Sequence, residues 1–184
     1  MGHLEKEANM RAMVISYSLS GNNEALAASL AAALGAEHVR ITEPKPRTMG
    51  TIAWDMALNR TPKINMPVEK TEECDLVLFV GPVWMGQIAA PFRACFKQLG
   101  QEIGKYAFIS ICGGADGPNL ELAGELEKRL GKEPACLLDL HIADLLPSEP
   151  KPTRKDTMAY RINEKEVSDL TDTIMATLQE TMAG

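Results

Sequence analysis

The chain has 184 residues, of which 45% are hydrophobic and 24% are charged, and these ordinary globular proportions exclude gross disorder. Its 19 basic and 25 acidic residues give a net charge of −6. This charge argues against a protein that binds nucleic acid or an anionic membrane, since either would need basic patches. The chain contains no run of about 18 apolar residues, so no transmembrane helix is predicted.

Short β-branched segments alternate along the chain with longer segments of helical periodicity. Residues 1–11 lack the apolar stretch of a secretory signal and are predicted to be a disordered leader, followed by one domain over residues 12–184. Apolar spacing then predicts strands at residues 12–18, 38–42, 75–83, 106–112 and 135–141, helices at residues 24–34, 51–59, 91–99, 120–130 and 167–178, and a proline-rich surface linker at residues 147–156.

The strand segments at residues 75–83 and 106–112 are nearly continuous in apolar residues, which is typical of parallel strands covered on both faces. Strands that alternate with helices predict an α/β fold, a doubly wound five-stranded parallel sheet in the order 2-1-3-4-5 with helices on both faces. In such a sheet the ligand binds at the carboxyl edge, where the winding reverses between the first and third strands. The loops after residues 18, 81 and 112 are therefore the candidate site.

The four cysteines are widely separated and show no C-x-x-C spacing. This pattern indicates a reduced, cytoplasmic protein with buried thiols, and it argues against a metal site.

The first candidate loop precedes a helix and is rich in hydroxyl and amide side chains. A helix N-terminus presents free N–H groups and a partial positive charge, so it can bind an anion, here through neutral donors because the loop has no Lys or Arg. Helix capping alone would also explain these residue types. Neither G-x-G-x-x-G nor a P-loop motif occurs. The residues are Ser18, Leu19, Ser20, Gly21, Asn22 and Asn23.

The second candidate loop places an aromatic and a polarizable side chain at the end of a strand. Trp84 and Met85 could cover an aromatic ligand, and Gly86 could adopt a positive φ. Alternatively, Trp84 could pack against the helix at residues 91–99. The residues are Pro82, Val83, Trp84, Met85, Gly86 and Gln87.

The third candidate loop is small and glycine-rich, so it is not core. Asp116 could accept a hydrogen bond from a ligand or cap the next helix, and the loop could also be a plain wide turn. Its candidate residues are Cys112, Gly113, Gly114 and Asp116.

Together the three loops resemble those of the flavodoxin family and of the related FMN-dependent NAD(P)H:quinone oxidoreductases. The first loop of that family reads roughly T/S-x-T/S-G-N-T, and Asn23 is the departure from it. The resemblance implies that residues 18–23 bind the phosphate of FMN and that its ring lies between the other two loops, with Trp84 or Met85 against one face. By hypothesis, the peptide at Met85-Gly86-Gln87 turns a carbonyl towards flavin N5, so Gly86 tunes the flavin; no other catalytic residue is identified.

Three functions remain open on this resemblance. The first is an FMN-dependent oxidoreductase that passes electrons from NAD(P)H to a quinone or similar acceptor. It is favoured because residues 43–72 form a longer connection than the fold requires and could cover the flavin or form a homodimer face. The second is an electron carrier between redox proteins, for which a charge of −6 is modest. The third is an interaction domain without a cofactor.

Overall fold

The computed structural model describes residues 10–67, 71–100 and 103–183. Its strands are β1 (Ala12–Ser16), β2 (Glu37–Arg40), β3 (Leu76–Val80), β4 (Val83–Trp84), β5 (Gln87–Ile88), β6 (Lys105–Cys112) and β7 (Cys136–His141). Five of them form a parallel sheet in the order β2-β1-β3-β6-β7, which confirms the predicted doubly wound order. The other two, β4 and β5, form an antiparallel hairpin.

Six α-helices surround the sheet: α1 (Asn22–Leu34), α2 (Met49–Ala57), α3 (Ala90–Leu99), α4 (Leu122–Leu130), α5 (Arg154–Ala159) and α6 (Glu164–Ala183) in the described residues. Two apolar clusters lie on opposite faces of the sheet, because successive strand residues point to opposite sides. One cluster joins the sheet to α3 and α4, and the other joins it to α1 and α6. All five residues of β3 are buried, as its apolar run predicts.

The described chain starts within the predicted leader. Residues 1–9 lie outside the described residues, but Arg11 is already bonded to the sheet: its N–H donates to Asp75 Oδ2 at 2.8 Å, and its carbonyl accepts from Asp75 N at 2.8 Å. No helix in residues 10–67, 71–100 or 103–183 combines the length and apolar character needed to cross a membrane.

Two segments differ from the predicted elements. The strand predicted to reach residue 83 ends at Val80, and the chain turns into the β4–β5 hairpin because Met85 (φ 52°) and Gly86 (φ 77°) both adopt the positive φ of a tight two-residue turn. The predicted linker ends in α5, which begins with a capping box: Thr153 Oγ1 accepts from Asp156 N, and the Asp156 carboxylate accepts from Thr153 N.

Candidate functional site

The three candidate loops meet at the carboxyl edge of the sheet. Tyr17 N donates to Val80 O at 3.1 Å, and Gly81 N donates to Ile109 O at 3.0 Å, so the ends of β1, β3 and β6 are bonded side by side. Parallel strands bring their following loops to one edge, which is why segments far apart in the sequence converge here.

The first loop leaves the N-terminus of α1 without a side-chain cap. Gly21, at the N-cap position, has φ 95°, and a Cβ built on it would meet nothing within 4 Å, so the loop is open on this side. Ser18 Oγ accepts from Gly21 N at 2.9 Å. The N–H groups in the first turn of a helix have no partner within the helix. The loop therefore offers uncapped N–H groups beside the hydroxyls of Ser18 and Ser20, which suits a phosphate.

The two asparagines of this loop use their side chains to position it. Asn23 is buried and makes two bonds to the backbone of one residue of β6: Nδ2 donates to Ile111 O at 2.9 Å, and Oδ1 accepts from Ile111 N at 3.1 Å. Asn22 is also buried; Nδ2 donates to Tyr160 O at 3.1 Å, and Oδ1 accepts from Ile162 N at 3.2 Å. What these residues offer a ligand is their backbone N–H, since their side-chain amides are already bonded within the fold.

The second loop is the β4–β5 hairpin, whose tip is Met85 and Gly86. Met85 is 75% exposed and adopts φ 52°, a rare conformation for a residue with a side chain. Trp84 is half-buried: its ring meets Tyr17 edge-to-face at 5.9 Å between centroids, and Arg47 Cζ lies 5.5 Å from its centroid. These contacts fix the Trp84 ring beside the end of β1.

A buried ion network that the sequence analysis missed holds Arg47 in this position. Arg47 donates to both carboxylate oxygens of Glu43, at 2.7 and 2.8 Å, and to Asp55 Oδ2 at 2.7 Å. Tyr17 Oη donates to Glu43 Oε2 at 2.9 Å. Burial, followed by the charge of Glu43 and the hydrogen bond to it, raises the pKa of Tyr17 well above its ordinary range. The i, i+4 spacing of Glu43 and Arg47 was the one sequence signal of this ion pair. The two residues lie in a proline-rich segment that is typical of a loop, where such spacing does not predict a contact.

The third loop is held in shape by its contacts with neighbouring segments. Gly114 has φ 72°, and a Cβ there would lie 2.3 Å from His141 Cβ, so only glycine fits. Asp116 is exposed and pairs with Arg154 Nε at 2.8 Å. The Cys112 thiol is half-buried; burial, and after it the charge of Asp139, raises its pKa to about 11.

The short helix α5 forms a fourth side of the site. A Cβ on Gly113 would lie 3.0 Å from Thr157 Oγ1, and the Tyr160 carbonyl after α5 accepts from Asn22. This segment therefore touches both the first and the third loops. The T-x-x-D capping box at Thr153 and Asp156 was the sequence signal that could have identified it.

A cavity of about 1070 Å³ adjoins the hairpin on the side of α2, α3 and α4. Gly86 and Gln87 line it together with Arg93. The Arg93 guanidinium is buried, and it donates to Gln87 Oε1 at 2.6 Å and to Asp55 O at 3.3 Å, while its Nε has no partner among the described residues. Burial, followed by the charge of Arg129, lowers the pKa of Arg93.

Comparison with known proteins shows similarity at the level of the fold. No protein-family model matches the sequence, and no curated protein matches it. The structure is similar to that of a flavoprotein in complex with FMN from Lactobacillus acidophilus NCFM, with a TM-score of 0.63, 17% identity, and coverage of 71% of this chain and 93% of that chain. The apo-form of the L. acidophilus flavoprotein gives a TM-score of 0.56 at 17% identity over 73% of this chain and 95% of that one.

A second similar structure is a candidate flavoprotein from Bacteroides eggerthii DSM 20697. It has a TM-score of 0.63 and 16% identity, and the similarity covers 90% of this chain and 98% of that chain. The chain has the flavodoxin-like fold. In the flavodoxin-like fold the winding reverses between β1 and β3, which is where the uncapped end of α1 and the ring of Trp84 lie.

Proposed function

We propose that this protein binds FMN at the carboxyl edge of its sheet and acts as an oxidoreductase. The observation that carries the proposal is the pairing of an uncapped helix N-terminus with an aromatic ring at the switch point of a doubly wound sheet. The flavoprotein from L. acidophilus, which has the same fold, was crystallised with FMN. This likeness supports FMN as the ligand.

The residues present suit the two ends of FMN. The backbone N–H groups at Asn22 and Asn23, with the hydroxyls of Ser18 and Ser20, would hold the phosphate through neutral donors. Trp84 would lie against the ring, and the backbone of Gly113 would bond its polar edge. FMN supplies hydride and electron transfer when bound, while the protein orients it and adjusts its potential. We retain Gly86 as the residue proposed to tune flavin N5, since its φ of 77° lets the tip peptide turn at little cost.

The cavity beside the hairpin favours an enzyme over an electron carrier. It reaches Gly86 and Gln87 at the tip, so a small substrate placed there would lie next to the proposed flavin site. The cations that line the cavity, Lys97, Lys128 and Arg129, would attract an anionic group of that substrate, such as a phosphate of NAD(P)H. We therefore propose transfer of electrons from NAD(P)H to a quinone or similar acceptor. A homodimer and a cytoplasmic location remain predictions.

The visible spectrum of the purified protein, recorded with added FMN, tests this proposal. Bound flavin that NADH or NADPH bleaches directly, with turnover on a quinone, is the expected result. Bound flavin that only a partner reductase can reduce would indicate an electron carrier. A protein that does not bind FMN would indicate an interaction domain without a cofactor. In the FMN-loaded protein, Gly86→Ala should shift the reduction potential, and an unchanged potential would remove the role proposed for Gly86.

A further inference from the structure

A mixed sulfur, nitrogen and oxygen cluster lies at the ends of β6 and β7, beside the third loop. It consists of Cys112, Asp139 and His141. The parallel register pairs Cys112 with His141, and Asp139 lies two residues before His141 on the same face of β7. The backbone of two adjacent strands therefore sets the positions of all three side chains.

The three side chains are spaced as ligands of one ion would be. Cys112 Sγ lies 3.8 Å from Asp139 Oδ1, His141 Nε2 lies 3.1 Å from Asp139 Oδ2, and one ligand atom from each residue lies within 4.8 Å of the others. Bonds of about 2.3 Å to sulfur and about 2.1 Å to nitrogen and oxygen, at tetrahedral angles, separate neighbouring ligand atoms by about 3.4–3.6 Å. The two separations measured to Asp139, each to a different carboxylate oxygen, differ from these values by about 0.3 Å or less, and the third, between Cys112 Sγ and a ring nitrogen of His141, lies within 4.8 Å.

The carboxylate of the cluster has no Lys or Arg within ion-pair distance in the described part of the chain. The Asp139 side chain is only 17% exposed, and its partners are His141 and the main-chain and side-chain amides of Asn119, at 2.9 and 3.0 Å. Asn119 Nδ2 lies 3.6 Å from Cys112 Sγ as well, so one amide donor faces both the carboxylate and the sulfur. A half-buried carboxylate is stabilised by a positive charge, which a bound cation would supply at this point.

Two neighbouring groups act on the ring of His141. Its second ring nitrogen, Nδ1, lies 3.7 Å from Oδ2 of the exposed Asp144, which is beyond hydrogen-bond distance but places a second negative charge beside the cluster. Gly114 packs so closely against His141 that a Cβ would lie 2.5 Å from its Cγ, which restricts the ring from the other side.

We propose that Cys112, Asp139 and His141 bind a divalent transition-metal ion of the zinc type. The ion would displace the proton of the Cys112 thiol to solvent, and the resulting thiolate, with imidazole and carboxylate, is a ligand set that suits Zn²⁺. Three protein ligands leave the fourth tetrahedral position for a water or for the Asn119 amide oxygen after that amide turns over. The site does not depend on FMN, although an ion there would fix Gly113 and Gly114, which follow Cys112 directly.

Titration of the FMN-free full chain with Co²⁺, followed by absorption, tests this site. The expected result is one equivalent bound, with a thiolate-to-cobalt charge-transfer band and the intense visible bands of a tetrahedral ion, both removed by Zn²⁺. Cys112→Ser should abolish the charge-transfer band, and His141→Gln should weaken Co²⁺ binding at least tenfold. Cys74→Ser, which changes a thiol just before β3 and so at the opposite ends of the strands, should leave both unchanged.

The outcomes that overturn the site are equally specific. Weak binding of several Co²⁺ ions with faint octahedral spectra would show an adventitious association with surface carboxylates only. A charge-transfer band that survives in Cys112→Ser would place the ligand thiol elsewhere. If Cys112→Ser does not fold, Asp139→Asn provides the same test, since it keeps the volume of the side chain and should lower the affinity for Co²⁺. Because FMN is absent throughout, neither result bears on flavin binding.

Discussion

The guanidinium of Arg47 lies over the ring of Trp84, with Cζ 5.5 Å from the ring centroid, while the same guanidinium is bonded to Glu43 and Asp55. One buried cation thus joins the connection after β2, the helix α2 and the hairpin that carries Trp84. Tyr17, at the end of β1, touches both Glu43 and the Trp84 ring. The ring proposed to face the flavin is therefore positioned by residues from three separate segments.

Replacing Arg47 with Met should destabilise the protein strongly. The Arg47, Glu43 and Asp55 side chains are 5%, 11% and 13% exposed, so the substitution leaves two carboxylates without their main cation. We expect a loss of about 3–5 kcal/mol in the free energy of unfolding, measured with urea. Arg60→Met is the matched control, because Arg60 is 58% exposed and lies 3.8 Å from Asp55; it should cost less than about 1 kcal/mol. Equal losses in the two variants would contradict a structural role for this network.

Asn23→Thr, which introduces the residue found in the flavodoxin motif, should lower the free energy of unfolding of this protein. Threonine cannot bond both the N–H and the carbonyl of Ile111, so one buried backbone group loses its partner, at a cost of about 1–3 kcal/mol. Urea unfolding measures the loss, and Asn65→Thr, at an exposed asparagine, serves as the control. An Asn23→Thr protein as stable as the wild type would show that the pairing with Ile111 contributes nothing.

Two glycines of the third loop should respond differently to alanine. Both have a positive φ, so each substitution carries a backbone cost of about 1–2 kcal/mol. A Cβ at Gly117 meets nothing within 4 Å, whereas one at Gly114 would overlap His141, adding about 1–3 kcal/mol of overpacking. Thermal unfolding should therefore give a clearly lower Tm for Gly114→Ala than for Gly117→Ala. The same Tm in both would mean that the loop moves away from His141 freely.

The stability of the protein should fall in mild acid because of His38. Burial, followed by the charge of Arg40 and partly offset by Glu24, lowers the pKa of His38 below its ordinary value. The unfolded chain then binds more protons than the folded one as the pH falls through about 6.5, so stability is present above that pH and decreases below it. Urea midpoints at pH 7.5 and pH 5 should differ less in His38→Gln than in the wild type. An identical pH dependence would rule out this contribution.

The sequence predicted the parts of the molecule that depend on local pattern. The alternating apolar segments predicted the strand order, and the helix predicted to end at residue 34 does end there, where Gly35 adopts the left-handed conformation. Contacts between distant segments could not be predicted this way. Asn23 is hydrogen-bonded to Ile111, 88 residues away in the sequence, and Arg154 is hydrogen-bonded to Asp116, 38 residues away. Only the folded sheet brings these residues together. The cluster of Cys112, Asp139 and His141 escaped prediction for the same reason, since its three side chains come from two strands with no motif spacing.

Calorimetric titration of the flavin-free protein with FMN, set beside a titration with riboflavin, measures the contribution of the phosphate to binding. If the N-terminus of α1 and the hydroxyls of Ser18 and Ser20 hold a phosphate, FMN should bind at one equivalent and riboflavin at least tenfold more weakly. Trp84→Ala should weaken both ligands, because it removes the ring surface and leaves the phosphate site intact. Equal affinity for FMN and riboflavin, or no binding of either, would show that residues 18–23 do not hold the phosphate of FMN.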